Sequence, residues 1–127
     1  LLDPSAKRLI TNGISMSASN MIATRYMKLF AHVPILLVDK PDDVLVVCFG
    51  TGQTTGAAGI HPRVKTVDSL ELSSSVINAG KMFADQNHDV LSNVCTFSTA
   101  SVPNLAPLFH LNLLEHPKNN CLGPWDL

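Results

Sequence analysis

A glycine-rich turn enclosed by two apolar runs constrains this chain more than any other feature. The first run is Asp43-Val44-Leu45-Val46-Val47-Cys48-Phe49, and the turn is Gly50-Thr51-Gly52-Gln53-Thr54-Thr55-Gly56. The second run, Val64 to Glu71, ends in an acid. Glycine lets a backbone turn tightly and approach a ligand that any Cβ would hold away. An acid roughly 20 residues further on can accept hydrogen bonds from ribose hydroxyls. Glu71 follows Gly50 by 21 positions. The pattern predicts a nucleotide- or nucleoside-binding βαβ unit in which Gly50, Gly52, Gly56 and Glu71 are ligand-side candidates. Regular alternation along the second strand puts Asp68 on the opposite face from Glu71.

The chain has 127 residues, the size of about one domain with one core. Hydrophobic residues are 46% and charged residues 15%, with formal net charge -1. That composition describes a globular chain without the basic excess of a nucleic-acid binder. The longest apolar stretches, Val33 to Val38 and Val44 to Phe49, fall far short of the roughly 20 residues that cross a bilayer, so no membrane partner is expected in this segment. Cys48, Cys95 and Cys121 are odd in number and form no C-x-x-C pair, which points away from a disulfide framework and toward a reducing, cytoplasmic setting. The chain opens with neither an initiating methionine nor a basic-then-apolar leader and reads as a piece of a longer product.

Three regions are expected. Residues 1–19 form an opening hairpin, because Asn12-Gly13 favours the positive φ angles of a type I′ turn between Leu9-Ile10-Thr11 and Ile14 to Ser17. Residues 20–97 form a Rossmann-like nucleoside-binding unit. It begins with a helix from Asn20 to His32 whose apolar stripe is Ile22, Tyr26, Leu29, Phe30 and Val33, ended or kinked by Pro34. The Val-rich run is then a central parallel strand buried on both faces. A short helix of small residues follows from Thr54 to Ile60, its N-terminus aimed at the ligand. After the second strand, Ser73 caps an amphipathic helix carrying Val76, Ile77, Gly80, Phe83 and Ala84 inward, closed by Asn87-His88-Asp89. Val94 to Phe97 is a third strand. Residues 98–127, with four of the eight prolines, form an irregular tail. The fold class is α/β, a partial parallel sheet with an N-terminal β-hairpin.

With these elements in order, Leu9 to Leu91 resembles the N-terminal part of the spermidine synthase (polyamine aminopropyltransferase) family, within the S-adenosylmethionine-type Rossmann folds. The matching pieces are Leu9 to Gly13, Tyr26 with Leu29 to Pro34, Val44 to Gly56, and Val67 to Leu72. The resemblance implies S-adenosylmethionine or its decarboxylated form as ligand. The backbone of Gly50, Thr51, Gly52 and Gln53 would line the nucleoside, Glu71 would hold the ribose, and Tyr26 and His32 would lie at the pocket by position. It also implies transfer of an alkyl group from a sulfonium to an amine. A homodimer is allowed.

The departures bear on activity. Where the family has a Gly-Gly-Gly-Asp-Gly-Gly loop, this chain has Cys48-Phe49-Gly50-Thr51-Gly52-Gln53, so the acid that holds the aminopropyl ammonium is replaced by Thr51. Met16, Ile22, Ala23, Met27 and Lys28 stand where the family places polar and acidic diamine contacts. Nothing after Phe97 resembles the strand that carries the family's catalytic acid, so no catalytic residue is assigned and the chain is expected to be incomplete for catalysis. A methyltransferase, a non-catalytic Rossmann-like scaffold and a nicotinamide dehydrogenase are the alternatives. No metal site is expected, since His110, His116 and Cys121 match no compact zinc spacing. Ser73 to Ser75 suit capping better than nucleophilic catalysis. Lys7-Arg8 and Arg63 with Lys65 are too sparse for an anion groove and read as solvated surface.

Overall fold

Asn12 and Gly13 adopt φ of 52° and 78°, the pair of positive angles that a tight hairpin turn requires. They join β1 (Arg8–Thr11) to β2 (Ile14–Ala18) in an antiparallel ribbon. The register steps between Leu9, opposite Ser17, and Ile10, opposite Ser15, leaving Met16 as the extra residue of a bulge. Beyond the bulge Ser17 and Ala18 are both buried. This computed structural model describes residues 4–93 and 97–99.

Asn20 caps α1 (Met21–Leu37), its Oδ1 accepting from the Ala23 N–H at 2.8 Å. The helix runs through Pro34 rather than ending there. Its inward face is not the apolar stripe read from the sequence. Ala31 and Ile35 are buried, whereas Ile22, Tyr26, Leu29, Phe30 and Val33 are exposed. The reason lies in the partner helix α2 (Gln53–Gly59), whose Gly56, Ala57 and Ala58 let α1 approach closely where α1 itself is small, and the bulky side chains stay outside.

The sheet is parallel, in the order β3 (Asp43–Val47), β4 (Thr66–Glu71), β5 (Phe97–Thr99). Val46 and Val67 pack with Ala31, Ile35, Ala57 and Ala58 into one core on the helical side. The opposite side of β3 carries Leu45 and Val47, 49% and 61% exposed. Among the described residues β3 is therefore an edge strand covered on one face, not the central strand buried on both that its apolarity suggested.

After β4 the expected single helix is broken into α3 (Ser74–Ala79), one 3₁₀ turn (Gly80–Phe83), α4 (Ala84–Asn87) and α5 (Val90–Asn93). Its predicted stripe does turn inward, with Ile77, Gly80 and Phe83 buried. Ser73 occupies the N-cap position without a side-chain capping bond. The third strand begins at Phe97 and continues to Thr99, past the expected limit. Val94 to Thr96 and residues 100–127, including His110, His116 and Cys121, lie outside the described residues.

Candidate functional site

Strand β3 delivers the chain to the turn, where Cys48, Gly50 and Gly52 all take positive φ, 71°, 57° and 77°. Cys48 is exposed and holds a left-handed conformation that costs an L-residue roughly 1–2 kcal/mol, and it stands where the resembled family has glycine. The Cys48 N–H donates to Leu70 O at 2.9 Å, and the Gly52 N–H to Phe49 O at 2.9 Å, so the bend is closed by backbone bonds on both sides.

The three glycines of the turn serve different ends. A Cβ on Gly56 would fall 1.9 Å from Asn87 O, so this glycine exists for the contact between α2 and α4. A Cβ on Gly52 would meet the Phe49 ring at 2.6 Å. Phe49 is buried with Ile77 and Val90, and its ring fills the space beneath the turn. Gly50 alone of the three faces open space, with nothing within 4 Å of where its Cβ would be.

Glu71, at the end of β4, reaches the turn. Its Oε2 accepts from the Phe49 N–H at 3.0 Å and the Gly50 N–H at 3.4 Å. Its Oε1 accepts from the N–H groups of Leu72 at 2.8 Å and Ser73 at 3.1 Å. Four amides thus fix the carboxylate at the mouth of the bend, and the longest of these bonds, to Gly50, is the weakest. The strand is regular, so Asp68 lies on the opposite face, level with Leu45.

Thr51 and Gln53 turn into the protein. They are 2% and 1% exposed. Thr51 Oγ1 pairs with Ser17 Oγ at 3.0 Å and accepts from Gln53 Nε2 at 3.0 Å, and the same Nε2 donates to Ala18 O at 2.9 Å. The hairpin is therefore bolted to the turn through a buried polar link. Asn87 Nδ2 grips the other side, donating to Thr51 O at 3.0 Å and Gly80 O at 2.9 Å. Sequence reasoning missed Ser17 and Asn87 as members of this region and gave Phe49 no packing role beneath the turn. Asn87 gave only the signal of a helix-terminating residue, and Ser17 gave none, because its role depends on the bulge beside it.

The other candidates lie along α1. Tyr26 packs edge-on against Phe30, with ring centroids 4.6 Å apart, and is exposed. His32 tilts against His61 at 5.7 Å. Lys28 Nζ lies 3.1 Å from His88 Nε2. Burial, then the positive charge of Lys28 and the neighbouring His32, holds the His88 pKa below its ordinary 6.5. Lys7, Arg8, Arg63 and Lys65 are exposed, as read from the sequence, and three of them also make polar contacts at the surface. Arg63 donates to Val38 O at 2.6 Å and Asp39 O at 2.7 Å at the end of α1, Lys7 Nζ to Met82 O at 2.7 Å, and Lys65 pairs with Asp42 at 2.6 Å. Among the described residues no group of His, Cys, Asp or Glu could hold a metal ion, and no helix is long and apolar enough to cross a membrane.

No family model matches the chain. Among curated proteins it is 38% identical over 58 residues to the polyamine aminopropyltransferase of Methanocaldococcus jannaschii, covering 46% of this chain and 20% of that protein. It is 30% identical over 77 residues to a spermine synthase of Arabidopsis thaliana, covering 61% of this chain and 21% of that protein. The chain thus spans about a fifth of the length of the curated relatives it matches. Among solved structures it superposes on a spermidine synthase determined in complex with the transition-state analogue AdoDATO. The TM-score is 0.61 and the identity 22%, covering 76% of this chain and 32% of that one. With its Rossmann-like parallel sheet and antiparallel opening hairpin, the chain is similar in fold to part of a spermidine synthase and, over 58 and 77 residues, similar in sequence to a polyamine aminopropyltransferase and a spermine synthase.

Proposed function

We propose that the chain binds an adenosyl ligand, S-adenosylmethionine or its decarboxylated form, across the turn after β3. The observation that carries this reading is the Glu71 carboxylate, held at the mouth of the turn within 3.0 Å of the Phe49 N–H and 3.4 Å of the Gly50 N–H. A ribose diol offers two O–H donors to such an acceptor, and the weak Gly50 bond is the one they would replace. The open space at Gly50 admits the nucleoside edge. The similar spermidine synthase with a bound adenosyl analogue supports the same ligand class here.

The longer protein is then an alkyl transferase of the aminopropyl type. An unprotonated amine attacks the methylene carbon beside sulfur, a C–N bond forms as the C–S bond breaks, and the electron pair leaves on sulfur as a neutral thioether. The protein's part is to align amine, carbon and sulfur and to keep the amine unprotonated. This chain carries the nucleoside end of such a site and is incomplete for the reaction. Methyl transfer is the second reading, favoured by the inward-turned Thr51, which supplies no carboxylate for an aminopropyl ammonium.

Calorimetric titration tests the site. Glu71→Ala should weaken S-adenosylmethionine by about 1–3 kcal/mol, the worth of a charge-assisted bond, with Glu71→Gln intermediate. Circular dichroism on both variants separates lost affinity from lost fold. Unchanged affinity in a folded Glu71→Ala variant would remove the sugar from this carboxylate.

A further inference from the structure

The side chains of the turn are committed to the protein rather than to a ligand. Thr51 and Gln53 are locked inward by Ser17 and the Ala18 carbonyl. Gly50 and Gly52 have no side chain to offer, and the Thr51 carbonyl is taken by Asn87. Gln53 Oε1 is buried and has no hydrogen-bond partner among the described residues, so it presents no surface to a charged group. The carboxylate bonded to the turn is that of Glu71, and its place at the end of β4 suits the sugar.

Resting on the adenosyl reading above, we infer that this site reads the adenosine and its sugar and leaves the substituent on the 5′ sulfur unread. Its ligand class is then 5′-thioadenosines in general. S-adenosylmethionine, its decarboxylated form and 5′-methylthioadenosine differ in tail charge, from two positive charges on the decarboxylated form to none on the thioether. A placed carboxylate–ammonium pair separates such ligands by roughly tenfold or more. A turn whose Thr51 and Gln53 side-chain acceptors are buried does not.

The test is calorimetric titration of the unmodified chain with these three ligands at one pH and ionic strength, with circular dichroism to establish that it is folded. Dissociation constants within about tenfold of one another are expected. A larger preference for either charged-tail ligand over 5′-methylthioadenosine overturns this inference and leaves the adenosyl site standing. No binding of any of the three to the folded chain overturns the adenosyl reading, and this inference with it.

Discussion

On one side of the β3–β4 pair, Val46 and Val67 lie beneath Ala31, Ile35, Ala57 and Ala58, whereas on the other Leu45 and Val47 keep about half of their surface in contact with water. The residue types are alike on the two sides. What differs is the layer above them. The covered face is sealed by a helix of very small residues, which allows close approach and leaves no room for side-chain growth. The open face has no such cover among the described residues. In a complete doubly wound sheet both faces are covered, and a near-continuous apolar strand is the signature of that state. Here the strand keeps the signature while the described residues provide one layer. The glycine turn belongs to the covered side, where Gly52, Gly56, Thr51 and Gln53 are held by packing and buried hydrogen bonds.

The most severe way to break this contrast is on the covered side. Gly56→Ala would drive a Cβ to 1.9 Å from Asn87 O, a backbone atom that cannot step aside without moving α4 and the Asn87 grip on the turn. A loss of about 3 kcal/mol or more is expected, seen as a collapse of the thermal unfolding midpoint. A midpoint equal to that of the unmodified chain would mean that α2 and α4 are not in close contact.

A paired truncation sharpens the comparison directly. Val46→Ala should destabilise by about 2 kcal/mol, because it empties a filled site, while Val47→Ala should cost less than about 0.5 kcal/mol. Urea unfolding of both variants measures the difference. Equal losses would show that the side bearing Val47 is covered in solution.

The smallest effect concerns the seam between α1 and α4. Lys28 can donate only to an unprotonated ring nitrogen, and the His88 pKa is lowered in the folded chain by burial, Lys28 and His32. The unfolded chain therefore binds the proton more readily. Stability is fully present above pH 6.5, the ordinary histidine value, and falls as pH drops below it toward the folded value. Thermal midpoints between pH 8 and 5 should decline more steeply for the unmodified chain than for His88→Asn, which tolerates the same left-handed backbone. Parallel profiles would assign the acid sensitivity to other groups.

Several elements were legible because they depend on local chemistry. Asn12-Gly13 specified the hairpin turn, Asn20 the start of α1, and the two apolar runs the parallel pair β3 and β4. The separation of Gly50 from Glu71 brought the carboxylate to the turn as expected. The buried face of α1 was not legible. Its strongest apolar stripe points outward, and Ala31 is buried only because Gly56, Ala57 and Ala58 lie opposite.

The order of strands and helices, and the pairing of a glycine turn with an acid at the next strand end, were determined by the sequence alone, since turn chemistry and hydrophobic period act over a few neighbouring residues. Tertiary structure decided which sides of those elements are covered, that Thr51 and Gln53 lock to Ser17 and Ala18, and that Gly56 serves packing. Those outcomes depend on atoms distant in sequence meeting at van der Waals or hydrogen-bond distance, as Ser17 and Thr51 do at a separation of 34. No local pattern records such a meeting.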